Sequence, residues 1–222
     1  MIRLLNHARE NLDELTGQYY DPREFVDYKA DVEKPLPMIY QSGYLTIKDY
    51  NVRRNTFLLD FPNNEVKSGF LTMIASDYLK PKVRVNNWVL NVVDALEAGD
   101  TEQFRVLLTS FLSDIPYTMR RKENERERER YFHYTFYLLM RLVSVYTVYT
   151  EKQQSEGRVD CIVETDAHVY IFEFKLDGTA DEALHQIEEK GYALPYLNDC
   201  RLLHRVGVSF SSETGTVDDW KV

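Results

Sequence analysis

The stretch from Val145 to Lys175 limits the fold more than any other part of the chain. Three runs, Val145-Tyr-Thr-Val-Tyr-Thr-Glu, Val159-Asp-Cys-Ile-Val-Glu and His168-Val-Tyr-Ile-Phe-Glu-Phe-Lys, are rich in β-branched and aromatic residues. They are separated by short polar breaks, and Thr165-Asp166-Ala167 is short enough to be a hairpin connection. Runs of this kind read as consecutive strands of one sheet. Thr179-Ala-Asp-Glu-Ala-Leu-His-Gln-Ile-Glu-Glu-Lys then has helical spacing, with Thr179 as its cap. Arg205-Val-Gly-Val-Ser-Phe-Ser returns as a strand, and Val217 to Val222 suits an edge strand. Upstream, an interleaved charged run from Arg120 to Arg130 passes into an apolar periodic segment ending near Val145. That run reads as the solvated start of one long helix, with a local basic groove of Arg120, Arg121 and Lys122 as the alternative.

The N-terminal half is more broken. Ile2 to Leu15 has helical spacing and stops at Gly17, and Tyr19 to Pro37 reads as a short helix or loop. Leu36 to Gln41 suits a helical turn ending at Gly43. Tyr44 to Ile47 and Thr56 to Asp60 suit two strands joined by a turn over Asp49 to Asn55, and a helix follows Pro62 towards Leu79. Helix, hairpin, helix is a winged-helix-like order. Two further helices are expected at about Asn87 to Glu97 and Glu102 to Leu112, the second ended by Pro116. The expected division is a helical, winged-helix-like region over 1–115 and an α/β (α+β) domain over 116–222.

Composition narrows the function classes. The apolar fraction of 44% and charged fraction of 28% are those of a folded globular chain, which excludes general disorder. A net charge of -9 opposes a broadly basic nucleic-acid-binding face. It leaves room for phosphodiester chemistry, because a bound divalent cation inverts the local field. Cys161 and Cys200 lack metal-ligand spacing, so two reduced thiols in a cytoplasmic protein are expected. The polar N-terminus does not resemble a signal peptide, and no apolar run is long enough for a membrane helix.

The chemistry is concentrated in the middle strands. Alternation puts Glu173 and Lys175 on one face of their strand, with Phe172 and Phe174 on the other. The short hairpin brings Asp160 level with that end. Two carboxylates and an ammonium then suit metal-assisted hydrolysis: the carboxylates, with the Phe174 carbonyl as a further donor, hold Mg²⁺. Lys175 orients the attacking water and opposes developing charge. A surface ion pair between Glu173 and Lys175 is the bland alternative. On the next helix, Gln186 and Lys190 are i,i+4 partners, able to reach metal-bound water or phosphate, or else simply polar rim residues. Trp88 and Trp220 suit core packing more than base stacking.

The run GRVDCIVETDAHVYIFEFKLDGTADEALHQIEEKGYA resembles the core of the PD-(D/E)XK nuclease superfamily. More narrowly, it resembles the nuclease-like domain at the C-terminus of AAA-ATPase-like proteins of Bacteroides and its relatives. The resemblance implies a restriction-endonuclease-like αβββαβ core and a Mg²⁺-dependent phosphodiesterase site, with Mn²⁺ able to substitute. It maps the motif onto Asp160, Glu173 and Lys175, with Asp160 and Glu173 as metal ligands and Glu129 as the helical glutamate. Glu129, Phe132, His133, Phe136 and Met140 share one helical face. The Q-I-x-x-K-x-Y-A pattern adds Gln186 to the site. Arg158, Lys190 and Tyr192 are weaker substrate-binding candidates. PLPMIYQSGYLTIKDYN and NTFLLDFPNNEVKSGFL resemble the segment joining the ATPase to the nuclease-like domain. No G-x-x-x-x-G-K-[ST] occurs, so no ATP site is expected, and the chain reads as a fragment or as a version without its ATPase.

The leading expectation is therefore a metal-dependent endo- or exonuclease acting on nucleic acid, DNA ahead of RNA. A catalytically silent nuclease fold serving as a regulatory or interaction module is the alternative. Its N-terminal region would dock a protein partner. An RNA-directed, toxin-like effector is a third reading. Oligomeric state is left open.

Overall fold

The computed structural model describes residues 15–26, 35–79, 85–115, 125–143, 147–154 and 157–222. The expected helix over 2–15 and the groove of Arg120, Arg121 and Lys122 lie outside the described residues, apart from Leu15. Seven α-helices and two sheets occur among the described residues. They form two compact units, Met1–Tyr78 and Leu79–Val222. The expected boundary at 115/116 differs from this division by two helices, which fall in the second unit.

In the first unit β1 (Gln18–Tyr20), β3 (Thr56–Asp60) and β2 (Thr46–Asn51) form an antiparallel sheet in the order β1-β3-β2. The strand β1 falls in the segment expected as a short helix or loop, and β2 runs on through Asp49 and Tyr50, where a turn was expected. Helix α1 (Pro22–Phe25) is a single turn with a full capping box, Asp21 and Glu24 satisfying each other's backbone N–H groups. Helix α2 (Leu36–Gln41) turns off at Gly43, whose φ of 79° is where glycine is at no steric disadvantage. Helix α3 (Asn64–Leu79) starts with the Asn63 side chain accepting from Val66 N–H. Phe25, Ile39, Leu59, Phe70 and Ile74 are buried here.

The second unit opens with α4 (Val85–Glu97) and α5 (Thr101–Asp114). Trp88 is buried against Phe111 and donates its indole N–H to the Leu107 carbonyl at 2.9 Å, so it is a core residue. The long helix α6 (Glu125–Leu142) follows, then β4 (Thr147–Gln154), β5 (Gly157–Glu164), β6 (His168–Leu176), α7 (Ala180–Glu189), β7 (Leu202–Phe210) and β8 (Val217–Lys221). Spatial order is β4-β5-β6-β7-β8. The β4–β5, β5–β6 and β7–β8 pairs are antiparallel, and β6–β7 is parallel across α7. A parallel pair needs a crossover, and α7 supplies it. The series α6-β4-β5-β6-α7-β7 is the expected restriction-endonuclease-like αβββαβ core.

Strand alternation distributes the two faces. Phe172 and Phe174 meet Phe136 of α6 at ring distances of 5.0 and 4.7 Å, and Phe132 stacks on Phe210 at 4.9 Å. On the other face Ile162, Val169 and Ile171 pack with Ile187 of α7 and with Tyr192 and Tyr196. The position of α7 is set by Gly207. A Cβ there would collide with the Ala180 carbonyl oxygen, so the helix rests directly on the strand backbone. Thr179 caps α7 through a capping box with Glu182, and Asp219 of β8 accepts from Ala180 N–H at 2.9 Å.

The opposite end of β6 and β7 holds the turn between α4 and α5. Gly99, at φ 71°, sits on the His168 ring, where a Cβ would lie 2.7 Å from Cε1. His168 Nδ1 and His204 Nε2 are 2.9 Å apart, His204 stacks on Tyr170 at 4.6 Å, and Tyr170 donates to the Leu96 carbonyl at 2.6 Å. No helix among the described residues is long and apolar enough to cross a membrane.

Candidate active site

The site forms where β5 and β6 part. Their ladder runs from Glu164↔Val169 to Cys161↔Phe172 and goes no further, while β6 continues its parallel pairing with β7 to Leu176. Phe174 N–H, beyond the end of that ladder, donates to Asp160 Oδ2 at 2.8 Å. The aspartate thus serves as acceptor for a strand amide and fixes the width of the fork. Val159 packs in the same cluster as Ile162, which strict alternation would put on the opposite face. The departure from alternation falls around Asp160, and Asp160 Oδ1 comes within 3.8 Å of His133 Nδ1 on α6. His133 in turn packs against the Phe174 ring at 5.2 Å.

Glu173 is 2% exposed. Gln186 on α7 donates its Nε2 to Glu173 Oε1 and accepts at Oε1 from Lys175 Nζ at 2.5 Å. The amide therefore joins carboxylate and ammonium, whose direct separation is 3.9 Å. Burial raises the Glu173 carboxyl to about 8, the neighbouring Asp160 carboxylate adds to the rise, and the Lys175 ammonium partly opposes it. Its second oxygen, Oε2, is buried without a hydrogen-bond partner among the described residues. The Lys175 side chain is partly exposed, at 28%.

Asp160, Glu173, Lys175 and Gln186 are brought together as one connected group. Glu129 lies on α6 and Arg158 on β5, but the side chains of both lie outside the described residues. Lys190 is the half-buried C-cap of α7, its N–H bonded to the Gln186 carbonyl at 3.0 Å. Tyr192 is 2% exposed within the core cluster beneath α7 rather than at the rim. The Phe174 amide as the Asp160 partner, and Asp219 as a support for α7, carry no local sequence signal.

Among the described residues no three His, Cys, Asp or Glu side chains gather as a metal-ligand cluster. The donors that are present still fit a hard divalent cation. They are two carboxylates, one with an orphaned buried oxygen, and such ions keep several waters when bound by one or two carboxylates. An acid raised this far has an environment that a cation would relieve.

The fold is a restriction-endonuclease-like core, with Asp160, Glu173, Lys175 and Gln186 gathered where β5 and β6 part. Residues 127–220 match a family model described as the PD-(D/E)XK nuclease superfamily, whose members generally use divalent metals. The chain is also 32% identical over 184 residues to an uncharacterized protein in the vnfD 5' region of Azotobacter chroococcum mcd 1. That alignment covers 81% of this chain and 36% of the relative, so the chain spans little more than a third of the relative's length. No solved structure matches the chain significantly.

Proposed function

We propose that this chain is a phosphodiester hydrolase, a Mg²⁺-dependent nuclease acting on DNA in preference to RNA, with Mn²⁺ able to replace Mg²⁺. The observation that carries the reading is the Asp160–Glu173–Lys175–Gln186 group at the fork, with one Glu173 oxygen buried and without a partner among the described residues. Asp160, Glu173 and the Phe174 carbonyl would hold the cation, and Glu129 would complete the set from α6. When bound, the cation supplies charge neutralisation at the phosphorus and acidifies a water molecule. Lys175 orients the attacking water and opposes charge that develops on the phosphate. Gln186 keeps Lys175 and Glu173 in register by bonding both. Asp160 holds the two strands at their working separation through Phe174 N–H. Arg158 and Lys190 are proposed to meet substrate phosphates, while Tyr192, buried in the core, supports α7.

The winged-helix-like reading of the N-terminal unit, docking to a protein partner, and the kinship with AAA-ATPase-associated domains belong to this proposal. So does a cytoplasmic location, supported by Cys161 and Cys200, which form no disulfide among the described residues. The net charge of -9 favours a second reading, a silent nuclease fold used as an interaction module. Incubating linear, circular and single-stranded DNA and RNA with and without Mg²⁺ or Mn²⁺ separates the two. Metal-dependent cleavage of DNA that Lys175→Ala abolishes supports the nuclease. Equal products from wild type and Lys175→Ala, or none from either, supports the silent module.

A further inference from the structure

The β2–β3 hairpin carries charge opposite in sign to the chain as a whole. Against a net charge of -9, the turn Asn51-Val52-Arg53-Arg54-Asn55 has two guanidinium groups and no carboxylate. Arg53 and Arg54 are both exposed, and among the described residues neither side chain has an ion-pair or hydrogen-bond partner. The carboxylate of Asp49, the nearest in sequence, is engaged by the Tyr19 hydroxyl at 2.5 Å. Lys48 is likewise occupied, its ammonium donating to the Pro62 carbonyl at 2.8 Å. The two arginines are therefore the free cations of the hairpin.

The tip is also held in shape by its own side chains. Asn51 Oδ1 accepts from Arg54 N–H at 3.2 Å, and Tyr50 donates its hydroxyl to Asn55 Oδ1 at 2.8 Å. Asn55 takes φ 51°, a left-handed conformation that asparagine adopts more readily than most residues. The Tyr50 ring stacks on Phe57 at 4.5 Å. A fixed turn loses little freedom when it binds, so its contacts are offset less by ordering. Apolar surface accompanies the cations, with Val52 76%, Tyr50 43% and Ile47 42% exposed.

We infer that the Asn51–Asn55 tip is a nucleic-acid backbone contact, with Arg53 and Arg54 each taking a phosphate. Guanidinium forks match phosphate oxygens in pairs, and neighbouring apolar and aromatic surface suits sugar and base faces. The choice of phosphodiester over an acidic protein rests on the nuclease reading above. The contact itself does not depend on cleavage.

The test uses the full chain in EDTA, so that nothing is cut, with a fluorescent DNA duplex of about 20 base pairs followed by anisotropy across a salt series. Each phosphate contact contributes about 0.9 to the slope of log affinity against log salt. Arg53→Gln/Arg54→Gln is expected to bind roughly 10- to 100-fold more weakly near 0.1 M salt, with a slope about 2 units shallower. Its thermal midpoint should equal that of wild type, since both side chains are solvent-facing and unpaired. Unchanged affinity and slope in the variant overturn the inference, as does equally tight binding of polyglutamate, which points to an acidic protein partner. Cleavage with Mn²⁺ is scored separately. Cleavage by wild type alongside an unaffected tip variant sinks this inference alone. Absent cleavage alongside a weakened variant sinks the nuclease reading alone.

Discussion

Replacing Glu173 with glutamine removes a carboxyl whose charge the fold opposes. The carboxyl is raised from 4.5 to about 8, first by burial and then by Asp160. Between those values the folded protein keeps a proton that the unfolded chain has lost. Stability therefore declines with rising pH, by a factor of about ten in the folding constant per pH unit. The contribution is fully present below pH 4.5 and is lost as pH rises through about 8. Integrated over the interval it is at most about 5 kcal/mol. In Glu173→Gln the amide oxygen can still accept from Gln186 Nε2, and the group has no proton to lose. Urea titrations of both proteins in EDTA, from about pH 5 to about pH 9, should show wild type losing stability relative to Glu173→Gln and then levelling. Parallel profiles would refute the argument that burial and Asp160 hold this proton.

The same proton bears on metal binding. A cation ligated by Glu173 displaces it, so affinity near pH 7 should be about tenfold below its high-pH limit. Calorimetry in two buffers of different ionisation enthalpy should register release of close to one proton per ion in wild type. Binding without proton release would show that Glu173 is not among the ligands.

Asp160→Asn keeps an oxygen for Phe174 N–H and should abolish cleavage with little loss of stability. Asp160→Ala should lose cleavage and also about 1–3 kcal/mol in denaturant unfolding, because the strand amide is left without its acceptor. Gly207→Ala drives a methyl group into the Ala180 carbonyl and should cost on the order of 1–3 kcal/mol, seen as a lower thermal midpoint. His204 is held below its ordinary value of 6.5, first by burial and then by His168. The unfolded chain takes up that proton first, so this contribution is present above pH 6.5 and is lost as pH falls through the lowered value. His204→Phe should remove that acid sensitivity, measured as the difference between the two unfolding profiles.

What the sequence discloses about this site follows from the range of the interactions that build it. The face assignment of β6 is readable because four consecutive residues, Phe172 to Lys175, alternate in chemistry with the period of a strand. The start of α7 is readable because Thr179 and Glu182 satisfy each other within one turn. Helical spacing puts Gln186 and Lys190 together on α7 but leaves open whether either is a site or a rim residue, and the Q-I-x-x-K-x-Y-A resemblance is what points to Gln186. Contacts between distant segments leave no such trace. The strand β1 is three residues long, and only its pairing with β3, some forty positions on, makes it a strand. Tyr192 reads as a weak substrate-binding candidate beside Lys190, but it is buried in the cluster that holds Ile187 and Ile162. Asp160 shows the distinction most clearly. Its level on the hairpin follows from counting residues, whereas its use as the acceptor for Phe174 N–H depends on the ladder stopping at Cys161. That stop turns a strand aspartate into the spacer of a fork. The fork in turn brings an aspartate near α6 and a glutamate near α7 to the same end of the sheet.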